Sequence, residues 1–505
     1  MKSDILQISS GDLVTLVRDD ATCEIEAVTY DSRRAKKGTL FVAVTGYKAD
    51  GHDFAENAYQ NGCRHFLVAT GRADELSSFP DISVFETDNS RRALSNVSAL
   101  CYGEVTKEIP VIGITGTNGK TSITYMIESV LKEAGYVPGV IGTVNYRWDD
   151  IQINAPNTTP ESSDLHEILA RMHADGVDVV VMEVSSHALS LGRVDDVHFS
   201  IAVFTNLTQD HLDFHPDLSD YFSAKKRLFE LLAKSESRTG INAAIINTDD
   251  QYGSLLFDEI SGSGMNVYSL STRAGSMYHI MNKTVQTRLD GLSYNLEVAS
   301  SRQYEIDLHL SARFNVYNSA VAFAVCHLLD IDEDDIVGGL SSITHVPGRF
   351  DRVSSSLGFH VIIDYAHTED ALVKLLLAAR ELGPTRLITV FGCGGDRDRK
   401  KRPLMGKAAV TNSDLSIITS DNPRTENPGA IIEDILKGIA SGDGEWKVIE
   451  NREDAIREAV GMAEEGNLIV IAGKGHEDYQ ILGTEKIHFD DKEIVQKYVS
   501  EREEA

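Results

Sequence analysis

The chain has 505 residues, 42% hydrophobic and 25% charged, and its 48 basic against 77 acidic side chains give a net charge of −29. That length is too great for one core and, at about 150 residues per domain, predicts three. The acidic balance opposes nonspecific nucleic-acid binding, and no apolar run approaches the roughly 18 residues of a membrane span.

Residues 1 to about 107 alternate β-rich runs (Ala27 to Tyr30, Leu40 to Val44, His65 to Ala69, Ile82 to Glu86) with helical stretches such as Asp53 to Asn61, which predicts a small α/β domain. The N-terminal residues Met1 to Leu13 are too polar for a signal peptide. Five scattered cysteines (Cys23, Cys63, Cys101, Cys326, Cys393) form no C-x-x-C pair, so reduced thiols in a cytoplasm are expected. Two polar stretches adjoin strands here: Tyr30-Asp31-Ser32-Arg33-Arg34 and Gly46-Tyr47-Lys48-Ala49-Asp50-Gly51. Each is either a ligand loop or a simple turn.

From Glu108 to about Thr344 a larger α/β unit is expected, built on Pro110 to Ser122, P-V-I-G-I-T-G-T-N-G-K-T-S. An apolar run enters glycines and then a Lys-Thr pair, followed by a helical pattern from Ile123 to Ala134. Gly116 and Gly119 permit a tight turn whose N–H groups point inward, and the helix adds its positive end, so Gly116, Thr117, Asn118, Gly119, Lys120, Thr121 and Ser122 read as a phosphate cradle. Lys120 would reach the terminal phosphates and Thr121 a Mg²⁺ ion. Ile114 stands where the standard phosphate loop has its first glycine, so the loop is a variant.

Further along this unit, Asn157-Thr158-Thr159-Pro160 opens a helical stretch and reads either as a site or as a Thr cap before proline. The run Val179 to Met182 delivers Glu183 to a strand end, a good place for a metal-facing carboxylate. Gln209-Asp210-His211-Leu212-Asp213-Phe214-His215 has two histidines four apart but no further ligands for a structural zinc. In the helix Asp220 to Glu230, Lys225 falls at the centre of the stripe Tyr221, Phe222, Leu228, Phe229, with Lys226 at its edge. Either its stem snorkels to the rim, or burial favours a neutral amine able to add CO₂ and become a carbamate. Ser261 to Arg302 is turn-rich and says little, and Ala312 to Asn318 opens a long helix, with Asn318 able to read a base edge or merely to solvate the helix.

The stretch Pro347-Gly348-Arg349-Phe350-Asp351 leads into a third unit, residues 345 to 505, expected to be doubly wound. Four apolar runs end in polar motifs: Asp364-Tyr365-Ala366-His367; Gly394 to Pro403 with five cations among Arg397 to Arg402; Asp421-Asn422-Pro423-Arg424; and Gly473-Lys474-Gly475-His476-Glu477. Motifs at successive strand ends point to one shared anion-binding cleft.

Taken together, T-G-T-N-G-K-T, N-T-T-P, E-V-S-S-H, D-H-L-D-F-H, A-K-x-x-L-F, D-Y-A-H-T, G-G-D-R-D, D-N-P-R and G-K-G-H-E resemble the Mur ligase family, in the branch that adds the third residue of the peptidoglycan stem peptide. The resemblance implies a cytoplasmic, monomeric ligase of three α/β domains: residues 1–107 for a UDP-sugar, 108–344 for ATP, and 345–505, Rossmann-like, for an amino acid. It implies that Tyr30, Ser32, Tyr47, Lys48 and Ala49 hold the UDP end of a UDP-N-acetylmuramoyl dipeptide, and that Asn157, Thr158, Thr159, Ser185, Leu191 and Arg193 hold its sugar-peptide. Leu191 stands where some members have glutamine. Thr121, Glu183, His211 and a carbamylated Lys225 would surround two Mg²⁺ ions, catalysing with Lys120. Asn318, Arg349, Asp364 and His367 would contact ATP, with Glu369 in place of the proline usual after D-Y-A-H-T. Arg397, Asp421, Asn422, Pro423, Arg424, Gly473 and Glu477 would bind the incoming amino acid.

Chemistry narrows the acceptor. A guanidinium on a proline-stiffened turn matches a carboxylate bidentately and repels the terminal ammonium of lysine or ornithine, so Arg424 favours meso-diaminopimelate, in agreement with the resemblance. Lysine, ornithine or a folylpolyglutamate-type acceptor stay open at this stage. From other classes, a nucleotide-dependent switch would lack an acceptor site, and a redox protein would need a G-x-G-x-x-G after a strand of the last domain, which the sequence lacks. Joining carboxylate to amine in water requires ATP to convert the D-glutamyl carboxylate into an acyl phosphate, which the amine then attacks; domain closure is expected to exclude water meanwhile.

Overall fold

A computed structural model describes residues 13–46, 49–211, 214–439 and 444–504. Tyr47 and Lys48 lie outside the described residues. Among those described, strands form sheets of five, twelve and six, plus a two-stranded ribbon. No described helix is long and apolar enough to cross a membrane.

The first sheet runs Thr15–Asp19, Ser83–Thr87, His65–Ala69, Thr39–Val42, Ala27–Thr29, parallel except for the antiparallel edge Thr15–Asp19. Its inner strands are almost wholly buried, because helices cover both faces, and they therefore read as continuous apolar runs. Thr15–Asp19 went unanticipated because an edge strand reading T-L-V-R-D has every second side chain exposed. The expected helix from Asp53 begins instead as a 3₁₀ turn, Gly51–Phe54, capped by the Asp50 carboxylate accepting from His52 N, and continues as Ala55–Gln60.

In the central sheet Val111–Thr115 lies between Val179–Glu183 and Ile201–Phe204, all parallel. The chain first builds outward on one side, through Pro138–Ile141, and then crosses to the other, through Ala243–Asn247 and Asn266–Ser271. The order thus reverses at Val111–Thr115, and a crevice opens at the carboxyl end of this strand, where the glycine loop sits. The turn-rich stretch from Ser261, from which the sequence predicted no element, carries Tyr278–Ile280, Gln286–Arg288 and Gly291–Val298, which with Arg302–Leu308 extend the sheet. The strand signal is present as a period of two, since Leu292, Tyr294, Leu296 and Val298 are buried while Ser293, Asn295 and Glu297 are less so.

The third sheet runs Asp351–Ser354, His360–Asp364, Asn467–Ala472, Arg386–Phe391, Leu415–Ile418, Glu445–Val448, parallel apart from its first strand. Polar contacts seat the domains on one another. Arg34 pairs with Asp164 and, at 2.7 Å, with Glu167, and Asn96 reaches Asp196 at 3.1 Å. On the other side Thr208 Oγ1 donates to Asp370 at 2.8 Å, and the rings of Phe314 and Phe350 meet at 5.8 Å.

Candidate active site

The glycine loop adopts the conformation its sequence asks for. Gly116 has φ +146°, and a Cβ there would collide with Thr205 Oγ1; Gly119 has φ +94°, and a Cβ there would lie 2.6 Å from Asn318 Oδ1. The helix Lys120–Glu133 starts one residue later, three residues before the expected Ile123, because Lys120 and Thr121 already have helical geometry. Its first turn therefore carries the lysine and the hydroxyl.

Thr121 Oγ1 donates to Glu183 at 3.0 Å, and the same carboxylate accepts from Thr143 N at 2.8 Å and Thr143 Oγ1 at 3.0 Å. Glu183 is thus fixed at 1% exposure by a strand end on one side and the loop after Pro138–Ile141 on the other. Thr143 was missed in sequence; the signal available was a Gly-Thr pair closing an apolar strand.

Lys225 lies on the helix Leu218–Ala233, whose face of Tyr221, Leu228, Phe229 and Leu232 is buried. The lysine is 1% exposed and donates to Gly116 O at 2.9 Å, so the snorkelling alternative fails: the ammonium does not reach the rim. Lys120 donates to the same oxygen at 2.8 Å. Two cations crowd one carbonyl. Burial, and then the charge of Lys120, hold the Lys225 amine well below the ordinary lysine range, and burial also lowers Lys120. His211, at φ +54°, has its side chain partly open to the site; desolvation lowers its pKa against the pull of Asp210, which favours the neutral ring.

These groups line a cavity of about 600 Å³ with Thr117 to Ile123, Thr158, Ser185, Phe314, Tyr317, Asn318, Arg349 and the segment Asp364 to Thr368. Two buried donors, Asn118 Nδ2 and Arg349 Nε, have no hydrogen-bond partner among the described residues. Arg349 also reaches Thr121 Oγ1 at 3.2 Å and stacks over Tyr365 at 4.7 Å. Orphaned donors beside a glycine loop fit a polyphosphate. Asp364 accepts from Phe350 N at 2.7 Å and Ala366 N at 2.8 Å while burial raises its pKa, and His367, lowered by burial, holds Tyr365 O at 2.9 Å through Nδ1. Both side chains therefore shape the loop as well as lining the cavity.

The donor set suits Mg²⁺. A hydroxyl, a carboxylate and a neutral imidazole are too few for an all-protein cage, and no group of three or more His, Cys, Asp or Glu able to hold a metal occurs among the described residues. A hard cation that keeps waters and binds substrate phosphates needs no more.

A second cavity, of about 390 Å³, opens at the carboxyl ends of the third sheet and gathers all four motifs: Tyr365 and His367, Gly394 and Arg397, Asp421, Asn422 and Arg424, and Gly473, Glu477 and Tyr479. Pro423 is buried but is not part of its wall. Arg424 has φ +52° and hydrogen-bonds Gly395 O at 2.9 Å through Nη1. The five-cation run divides its roles, which corrects the reading of it as one anion-capturing cluster. Arg402 is fully buried and Arg399 exposed, and both pair with Glu426; Lys401 donates to His367 O at 2.9 Å; Arg397 and Lys401 face the cavity.

The residues expected at the sugar nucleotide are more dispersed. Thr158 and Ser185 line the larger cavity; Tyr30, Ser32, Ala49, Asn157, Thr159, Leu191 and Arg193 line neither. Thr159 is not a helix cap, since the helix Ser162–Ala174 starts after Glu161; its hydroxyl donates to Glu183 O at 2.9 Å. Arg193 holds Thr159 O at 3.0 Å and pairs with Glu161 at 2.8 Å. Tyr30 sits at this domain junction, its hydroxyl pKa raised by burial and then by Asp164 and Glu161.

Three family domains match the chain: the Mur ligase family, catalytic domain over residues 24–95, the Mur ligase middle domain over 114–326, and the Mur ligase, glutamate ligase domain over 348–475. Full-length relatives agree. The chain is 42% identical over 480 residues to the UDP-N-acetylmuramoyl-L-alanyl-D-glutamate--2,6-diaminopimelate ligase of Clostridium botulinum, covering 95% of this chain and 96% of that one. It is 43% identical over 492 residues to the ligase of the same name from Geobacter sulfurreducens, with 94% and 95% covered. A solved structure of that name superposes with a TM-score of 0.66 at 30% identity, covering 95% of both chains. A MurF ligase from Thermotoga maritima in complex with ADP shares the fold, with a TM-score of 0.64 at 16% identity, covering 96% of this chain and 100% of that one.

Proposed function

This chain belongs to the Mur ligase family, and from that premise we propose that it is an ATP-dependent ligase joining 2,6-diaminopimelate, in its meso form, to the D-glutamate of UDP-N-acetylmuramoyl-L-alanyl-D-glutamate, a step in the synthesis of peptidoglycan precursor in the cytoplasm. The observation that carries this reading is that the two cavities share a wall: Asp210, His211, Tyr365, His367 and Thr368 line both. A phosphoryl-transfer site thus opens directly onto an acceptor site.

In the proposed cycle ATP lies along the glycine loop with its terminal phosphates toward Lys120, Asn118 and Arg349, and Asn318 beside the nucleotide. The glutamyl carboxylate approaches past Thr158 and Ser185 and attacks the terminal phosphorus; the bond to ADP breaks and an acyl phosphate forms. Thr121, Glu183 and His211, with a carbamate on Lys225, would hold Mg²⁺, which when bound neutralises charge on the transferring phosphoryl group. Lys225 suits that modification: its neutral amine adds to the carbon of CO₂ and releases a proton, giving an anion next to Lys120. The new anion would give Lys120 an attractive partner beside Gly116 O, where both lysines now donate. The acceptor amine then attacks the acyl carbon, and the tetrahedral intermediate collapses with loss of inorganic phosphate.

Arg397 and Arg424 supply positive charge for the acceptor carboxylates, and Asp421 and Glu477 negative charge for its ammonium. The test is phosphate release. It should require both the UDP-linked dipeptide and the amino acid, and rapid hydrolysis indifferent to either would remove the ligase reading.

A further inference from the structure

The acceptor cavity places two carboxylates, Asp421 and Glu477, on one wall, although like charges in a desolvated site oppose each other's ionisation. Burial and then Asp421 push the Glu477 pKa upward. Something must favour the Glu477 anion if the pair is to receive an ammonium.

Lys474 is fully buried behind this wall, at 0% exposure. Its Nζ donates to Glu477 Oε2 at 3.2 Å and to the backbone oxygen of Tyr479, and it lies over the Tyr479 ring at 5.3 Å. Asn422 Nδ2 donates to the same Oε2 at 2.8 Å, while Asn422 Oδ1 accepts from Ile481 N at 2.9 Å. Both donors fall on Oε2, and none among the described residues falls on Oε1. The carboxylate is pinned by one oxygen and presents the other. Asp421, 7% exposed, receives no hydrogen bond at its carboxylate from any described residue, although it crowds Gly473 so closely that a Cβ there would lie 2.7 Å from its Oδ2. Behind them Arg452, paired with Asp491 at 2.7 Å, holds Ala472 O at 3.1 Å and so fixes the strand end from which Gly473 and Lys474 depart.

We propose that Lys474 is a positioning residue for the acceptor: it fixes Oε2 of Glu477 so that Oε1 and Asp421 together receive one ammonium. This rests on the reading of the second cavity as the acceptor site. The selectivity that follows is for an acceptor bearing an ammonium at that point, whereas Arg424 selects the carboxylate. The groups facing Glu477 are Asp421, Lys474, Tyr365, Tyr479 and Arg452, and Arg397, Lys401 and Arg424 line the same cavity, but among the described residues Lys474 is the cation that hydrogen-bonds to the Glu477 carboxylate.

The test is a double-mutant cycle on full-length enzyme with Lys474→Met, Glu477→Gln and their combination, measuring KM for diaminopimelate, ATP and the UDP-linked dipeptide. Each single variant is expected to raise the diaminopimelate KM at least ~10-fold, the size of one charge-assisted contact, with the other two KM values unchanged. The combined variant should be no worse than Glu477→Gln alone. In Lys474→Met the acid limb of kcat/KM for the acceptor should move to higher pH, because Glu477 then protonates more readily. Additive losses, or a parallel rise in all three KM values, would overturn the proposal. Should Lys474→Met fail to fold, the combined variant, which removes both charges together, is compared with Glu477→Gln, and a further tenfold rise in acceptor KM is again the overturning result. If the wild type uses lysine or ornithine instead, the assignment of diaminopimelate falls, while the same cycle run on that acceptor still decides the role of Lys474.

Discussion

Replacing Lys225 by methionine separates catalysis from stability. Methionine has similar length and refills the buried volume at a cost below about 1.5 kcal/mol. The substitution removes the Lys225 hydrogen bond to Gly116 O, worth about 0.5–1.5 kcal/mol, but that oxygen keeps the Lys120 donor at 2.8 Å. Against these losses stands the relief of a polar group desolvated at 1% exposure and crowded by a second cation. The expected net change in unfolding free energy is within about 1 kcal/mol. Activity should behave differently: loss of one preorganised charge from a phosphoryl-transfer site costs roughly 10²- to 10³-fold in kcat. Phosphate release dependent on diaminopimelate, measured beside thermal unfolding, reads both quantities. Lys225→Ala leaves a hole, and there a small carboxylate such as formate should restore part of the rate. Full activity in Lys225→Met would refute the reasoning, as would a wild-type enzyme that takes up no isotope-labelled bicarbonate at this lysine.

Gly116→Ala should abolish ATP binding, because the added carbon strikes Thr205 Oγ1 and the backbone of Asn206 at a φ alanine rarely adopts; calorimetric ATP binding at wild-type strength would contradict this. Equal concentrations of diaminopimelate, lysine and ornithine should yield mainly diaminopimelate product, and Arg424→Ala should lose that preference by about 10- to 150-fold in kcat/KM, read by product mass. Glu426→Gln should destabilise the third domain by about 1.5–3 kcal/mol at pH 7, since the carboxylate pairs with buried Arg402 at 2.8 Å and with Arg399 at 2.5 Å. Arg402 first, with further hydrogen bonds, holds Glu426 down to about 2, below the ordinary value near 4.3. A depressed pKa gives stability that is complete above the unfolded value and lost as pH falls through the folded one, so the difference between parent and variant should shrink between about pH 4 and pH 2 in urea titrations.

The shape of the glycine loop was legible because its constraints are local: strand, glycines, Lys-Thr and helix follow one another in sequence, and each has a conformational reason. Lys225 was legible only as an anomaly, a cation on an apolar stripe; its second cation, Lys120 on the same carbonyl, is 105 positions away and invisible without the fold. Thr143 was missed because its hydroxyl and amide matter only after Pro138–Ile141 lies beside Val179–Glu183. The cation run Arg397 to Arg402 misled for a related reason: the carboxylate of Glu426 that neutralises two of its members comes from a different strand end. Sequence gives charge, but pairing requires topology. The antiparallel extension after Ser261 was hidden by its turns, although the alternation of apolar and polar residues from Leu292 to Val298 could have been counted.

The loop Asp364 to Thr368 ties these observations to the chemistry. It leaves a strand of the third sheet, yet it forms part of both cavities, with His367 fixed from behind by its own contact to Tyr365 O and by Lys401 at its carbonyl. In the proposed cycle an acyl phosphate formed against the glycine loop would face an amine in the second cavity across this single loop, with no bulk solvent needed between them. Holding the two reactants in that way replaces an encounter in water by an intramolecular approach, worth up to about 7–11 kcal/mol when the geometry is near that of attack. The linker strengthens the arrangement. Arg349 reaches back to Thr121 Oγ1 while stacking on Tyr365, so one side chain touches the phosphate loop and the acceptor wall together. A nucleotide that engages its unpartnered Nε would thereby draw the acceptor domain toward the site where the acyl phosphate forms, and would do so before the labile intermediate exists.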